Sequence, residues 1–180
     1  MNRIVPAVML LASMSALAQS APDATDLMTA YCIPVLQRSE QVQSDLERSL
    51  SDSIDDLQKH KPALVPEAQG YSIEQLQSMQ TAAHEALAET HSSLDRLRSY
   101  LSPRLDRLDV VTIAAVQRRA DADWISLDNP ENLQRVGACS SKCIDGSGID
   151  QECVASCLGP KLAATRDRIV ACANPTWLPF

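Results

Sequence analysis

The sequence predicts an all-α protein: a long antiparallel helical hairpin, a third helix packed against it, and a short disulfide-stapled helical hairpin at the C-terminus. Three observations carry that prediction. Apolar residues recur with helical period through long stretches of the chain. Helix-start signatures stand before the later segments, at Ser72, Ser102-Pro103, Asn129-Pro130 and Asp150. Cys139, Cys143, Cys153 and Cys157 form two C-x-x-x-C pairs around the turn-like stretch DGSG.

The first helix is expected from Asp26 to about His60. Leu27, Tyr31, Val35, Val42, Leu46, Leu50, Ile54 and Leu57 follow one another at spacings that draw one stripe along a helix. Pro34 lies inside this stretch, lacks an N–H and crowds the preceding turn, so a kink or a helix start at Ile33 or Pro34 is expected. HKPALVPEAQG reads as the connecting loop. The second helix opens on Ser72 and Gln75, a capping-box pair, with Tyr71 and Leu76 placed as a hydrophobic staple. Its stripe runs through Ile73, Leu76, Met79, Ala83, Leu87, Leu94 and Leu97.

Ser102-Pro103 reads as a cap followed by proline at the first helical position, so a third helix is expected from Pro103 to about Ala120. VVTIAAV inside it has strand propensity, but its flanks LDRLD and QRRAD are helical in composition. A loop through Asp128 should follow, then a fourth helix from Pro130 to about Ile144, capped by Asn129. After DGSG, Asp150 caps a fifth helix. Gly159-Pro160 breaks it before a last helical segment, Lys161 to Cys172. The tail NPTWLPF is irregular, and Trp177 is expected to fold into a groove between helices. A terminal recognition peptide ending in Phe180 is the competing reading.

The N-terminus MNRIVPAVMLLASMSALAQS has a basic start at Arg3, an apolar stretch too short to span a bilayer comfortably, and the small-x-small pattern Ala16-Leu17-Ala18. We expect residues 1–18 to be a secretory signal and residues 19–180 to form a single helical domain. Export, to the periplasm or outside the cell, implies an oxidising compartment. The six cysteines are then expected as three bridges. Aromatic residues make up 3% of the chain, so its core lacks the largest burial contributions and has most to gain from cross-links.

Residues four apart on a helix share a face, so Cys139 and Cys143 line one helix and Cys153 and Cys157 the next. Folding these helices back on each other pairs inner with inner and outer with outer: Cys143 with Cys153, and Cys139 with Cys157. Bridging within a pair is disfavoured, because both Cβ vectors leave a rigid helix in the same direction. Cys32 and Cys172 remain and would tie the first helix to the last. The competing readings are a thiolate zinc or iron–sulfur site and a thiol-exchange site. The latter normally uses C-x-x-C, which is absent.

The segment from Cys139 to Cys157 resembles the twin-CX3C helical hairpins of the small mitochondrial translocase chaperones. The likeness covers about a tenth of the chain. The spacing between the pairs is shorter than in that family, and the export signal and additional helices depart from it. The resemblance therefore implies a shared structural device, with no chaperone function carried over.

The net charge of −7 becomes more negative when Arg3 leaves with the signal, which argues against nucleic acid as a partner. No second long apolar run predicts insertion in a membrane after cleavage. Charge is segregated: acids dominate from Glu40 to Glu89, and Arg96, Arg98, Arg104, Arg107, Arg118 and Arg119 outnumber the acids of their segment. These arginines are either solvated helix flanks or a docking face for an anionic partner.

Nucleophile elbows and phosphate-binding loops are absent, and no cofactor is implied. Asp55, Asp56, Asp121 and Asp123 read as exposed. These features point to a non-catalytic binding protein, an inhibitor or adaptor, with another protein as partner. The alternatives are a metal-handling protein using the cysteine cluster or His84, His91 and Asp95, and a secreted effector enzyme. Oligomeric state does not follow from the sequence.

Overall fold

The computed structural model describes residues 22–59, 71–145 and 148–179. Residues 1–21, which include the expected signal segment, residues 60–70, where a loop is expected, and Gly146, Ser147 and Phe180 lie outside the described residues. The fold is all-α, with six α-helices among the described residues: α1 Ala24–Lys59, α2 Ile73–Leu101, α3 Val110–Asp128, α4 Pro130–Lys142, α5 Gln151–Leu158 and α6 Pro160–Ala173. A short antiparallel ladder between α4 and α5 pairs Ile144 with Ile149 and Asp145 with Gly148.

α1 and α2 form the expected antiparallel hairpin. Glu47 meets His84, Gln43 meets Thr90 and Glu40 meets His91, so the contacts step in opposite directions along the helices. At the far end of the hairpin, Leu50, Ile54 and Leu57 pack on Leu76 and Ala83. At the other end lies the main core, where Tyr31, Cys32, Val35 and Leu36 meet Leu94, Leu97, Ala120, Cys172 and Leu178. Each fully buried aliphatic side chain there contributes about 1.5–3 kcal/mol. The α2 start follows its signature: Gln75 N–H donates to Ser72 Oγ at 3.2 Å, and Ser72 N–H donates to Gln75 Oε1 at 2.8 Å.

α1 does not start at Ile33 or Pro34. It starts at Ala24, where Asp23 Oδ1 accepts from Thr25 N–H at 2.9 Å, and Pro34 lies inside the helix. The residues around the proline are held by tertiary contacts. Tyr31, Cys32, Val35 and Leu36 are all buried in the main core, so packing overrides the missing backbone donor.

The third helix also differs from expectation. Ser102–Arg107 forms a 3-10 helix that continues α2, with Pro103 in its first turn. The α-helix begins only at Val110, capped by Asp109, which accepts from Thr112 N–H at 2.8 Å and from Thr112 Oγ1 at 2.7 Å. The tighter segment delivers Leu108 to a small core with Ala30 and Leu101. α3 then runs on to Asp128 in place of the expected loop after Ala120. Trp124 packs on the main core and Leu127 on the cysteine hairpin, so inward contacts extend the helix.

The C-terminal region follows the sequence closely. Asn129 accepts from Glu131 N–H at 3.0 Å and caps α4. Asp150 caps α5 through Glu152 N–H and Cys153 N–H. Gly159, at φ +78°, breaks α5 from α6 in a backbone region that side chains disfavour. The tail then folds back. Trp177 Nε1 donates to Ala171 O at 3.1 Å, and Pro175 and Leu178 are buried.

Candidate partner-binding surface and its frame

Three disulfides brace the helices. Cys32 joins Cys172, Cys139 joins Cys157 and Cys143 joins Cys153. This is the pairing that the helix geometry predicts. The nested pair closes the α4–α5 hairpin over a core of Val154, Leu158, Leu162 and Ala163. No cysteine among the described residues is free, so none offers a thiolate to a metal or to an exchange reaction.

His84, His91 and Asp95 are not brought together. His84 Nδ1 lies 3.0 Å from Glu47 Oε1, His91 Nε2 lies 2.7 Å from Glu40 Oε1, and Asp95 faces Arg98 at 3.9 Å. The two histidines stand two turns apart on α2 and each faces a different glutamate of α1. Among the described residues no group of three His, Cys, Asp or Glu side chains could hold a metal ion.

The six arginines sort into different environments. Arg98 pairs loosely with Asp95 in its own helix. Arg104 donates to Tyr100 O at 2.6 Å, and its guanidinium lies 4.1 Å above the Tyr100 ring. With Arg96 it lines a groove of ≈ 720 Å³ bounded by Leu178 and Pro179 of the tail. The Tyr100 phenol is pushed up by burial first and by the Asp26 charge second. Arg107 and Arg118 are exposed. Arg119 turns instead toward Asp123, with Nε 3.1 Å from Oδ2. The segment is therefore a chain of separate cations along the α2 end, the 3-10 helix and α3.

Asp123 corrects the sequence reading. It is 5% exposed, at the junction of α1, α3 and α6. Tyr31 Oη donates to Oδ2 at 3.0 Å, and Arg168 donates from Nε at 2.8 Å and from Nη2 at 2.9 Å. Burial opposes its charge most strongly. The donors from Arg168, Arg119 and Tyr31 together outweigh burial and hold the carboxyl below its usual range. Burial, then Asp123, pushes the Tyr31 phenol up to about 12. The cluster ties α1, α3 and α6 together at one buried acid and so braces the three helices. Its sequence signal was the inward spacing of Val116, Ala120, Asp123 and Leu127, which places an acid in an apolar stripe.

A second buried acid has no such support. Asp26 is 1% exposed, and neither carboxylate oxygen makes a well-formed hydrogen bond among the described residues, although the Tyr100 phenol lies within reach of its charge. Its place in the first turn of α1 sets the carboxylate at the positive end of a long helix.

Fold and bridges together define a disulfide-clamped all-α protein, and no helix among the described residues is long and apolar enough to cross a membrane. No protein-family model, curated protein or solved structure matches the chain.

Proposed function

We propose that this chain is an exported, non-catalytic binding protein, an inhibitor or adaptor, that recognises another protein through the face formed by the 3-10 helix and α3. The observation that carries this reading is an exposed mixture of cations and large apolar side chains on a braced frame. Leu105, Val110, Val111 and Ile125 are exposed beside Arg107 and Arg118. Uncovered apolar groups interleaved with arginine suit a protein interface, where arginine and apolar anchors are enriched. The Cys32–Cys172 bridge and the Asp123 brace fix α3 to α1 and α6, so docking on that face would require little ordering. Three disulfides are compatible with export.

The test has two stages. Intact mass of the exported protein should give a chain starting at Gln19 with every cysteine oxidised. The immobilised mature protein is then offered the proteins of its own compartment. A partner retained by the wild type and lost when Arg96, Arg98, Arg104, Arg107, Arg118 and Arg119 are changed to alanine supports this reading. A partner retained equally by both forms overturns the assignment of the face.

A further inference from the structure

α3 carries apolar residues on opposite faces. Ile113, Val116, Ala120 and Leu127 face the packed interior. On the far side Val111, Ala115, Arg118, Ala122 and Ile125 alternate in steps of four and three, the spacing of a heptad seam. All of them are exposed, Val111 at 75% and Ile125 at 68%. The seam extends over about 21 Å of helix. Its flanks are already engaged: Arg119 holds Asp123, and Asp121 holds Arg38. Arg118, at the midpoint, has no hydrogen bond or ion pair among the described residues.

We propose that this outer seam of α3 docks a partner helix that carries small apolar residues and places a carboxylate opposite Arg118. The inference rests on the reading of this chain as a binding protein. Charge decides the occupant. A second copy, paired symmetrically in register, puts Arg118 against its own counterpart whether the helices run parallel or antiparallel, because Arg118 is the centre of the seam. Like charges facing each other in a desolvated contact oppose association. An acid at the partner's centre turns the same position into an ion pair. Ala115 and Ala122 allow close approach of the helix backbones, while Val111 and Ile125 close the seam at its ends.

The Arg118→Glu variant of this protein is a defined probe, since it carries the same apolar seam with a carboxylate at its centre. Sedimentation of wild type, variant and their mixture reads the outcome at low and high salt. The wild type and the variant should each remain monomeric. The mixture should form a one-to-one complex, at least about tenfold tighter than either self-association and weakened by salt. Arg118→Leu, which removes the central repulsion, should self-associate.

Circular dichroism checks that the variants fold; Arg118→Asp replaces Arg118→Glu if that one does not. A mixture that stays monomeric overturns the proposal, as does a wild type that dimerises through this face. Retention of the wild type, but not of Arg118→Glu, by anionic lipid vesicles would assign the face to a membrane surface and also overturn it. If the mixture stays monomeric while the six-arginine variant still loses its captured partner, this inference fails and the binding role stands. The reverse result removes the captured partner from this face and leaves the seam.

Discussion

Arg168 grips both carboxylate oxygens of Asp123, with Nε 2.8 Å from Oδ2 and Nη2 2.9 Å from Oδ1, a two-pronged contact that ties α6 to α3. Changing Asp123→Ala removes the charged acceptor that the guanidinium and the Tyr31 hydroxyl share, and leaves Arg168 the neutral Thr165 Oγ1 at 3.2 Å. Breaking a buried pair costs about 3–5 kcal/mol. The Arg168 side chain is 32% exposed and regains water, so the low end, about 3 kcal/mol, is expected. Urea unfolding of wild type and variant measures it, and a loss below about 1 kcal/mol would remove Asp123 from the frame.

The same cluster sets the pH limits of stability. The folded Asp123 carboxyl lies below its unfolded value, so its contribution is full above the unfolded pKa and is lost as pH falls through the folded one. Tyr31 lies above its unfolded value, so its contribution is full below pH 10 and is lost as pH rises toward about 12. Thermal melts across pH should show both declines. Asp123→Asn should flatten the acid side, and Tyr31→Phe should remove the late-ionising phenol from the ultraviolet titration.

The bridges should contribute unequally. Cys32 and Cys172 are 140 residues apart, which in the chain-entropy model corresponds to about 5 kcal/mol. Cys139 and Cys157 are 18 apart, corresponding to about 3 kcal/mol. Replacing Cys32 and Cys172 together by alanine should therefore lower the melting temperature more than replacing Cys139 and Cys157. An equal or reversed order would show that local packing in the hairpin, rather than loop closure, dominates.

Asp26 predicts a change in the opposite direction. An unsatisfied buried polar group costs about 1–3 kcal/mol, more when charged, against at most about 1 kcal/mol returned by the helix N-terminus at an ordinary site. Asp26→Leu should raise stability, read as a higher denaturant midpoint with an unchanged slope. A destabilised variant would mean that the carboxylate is held in solution, with the Tyr100 phenol as the nearby donor.

What the sequence made legible was local. The Ser72 cap, the Asn129-Pro130 start and the two hairpin bridges depend on residues within a few turns of one another or on a single fold-back, and the distant Cys32–Cys172 bridge followed only as the remaining pair. The 3-10 helix was hidden because Ser102-Pro103 satisfies an α-helix start equally well, and only the burial of Leu108 beside Ala30 distinguishes the two. Asp123 was hidden because its donors, Tyr31 and Arg168, come from opposite ends of the chain. The outer α3 seam was partly visible: Arg118 and Arg119 read alike in sequence, and only the fold separates the one bound inward from the one left facing out.

The bridge between Cys32 and Cys172 also bears on how the chain is made. A polypeptide delivered N-terminus first presents Cys32 long before its partner, and the first thiols to follow are Cys139 and Cys143. Pairing in order of arrival would join Cys32 to Cys139 and leave Cys157 to Cys172, so that only the Cys143–Cys153 bridge would be native. The native arrangement is therefore reached only if the hairpin thiols find each other first or a thiol catalyst reshuffles the early product. The order of emergence and the order of oxidation must differ, so a chain whose hairpin closes late reaches its native bridges only through reshuffling.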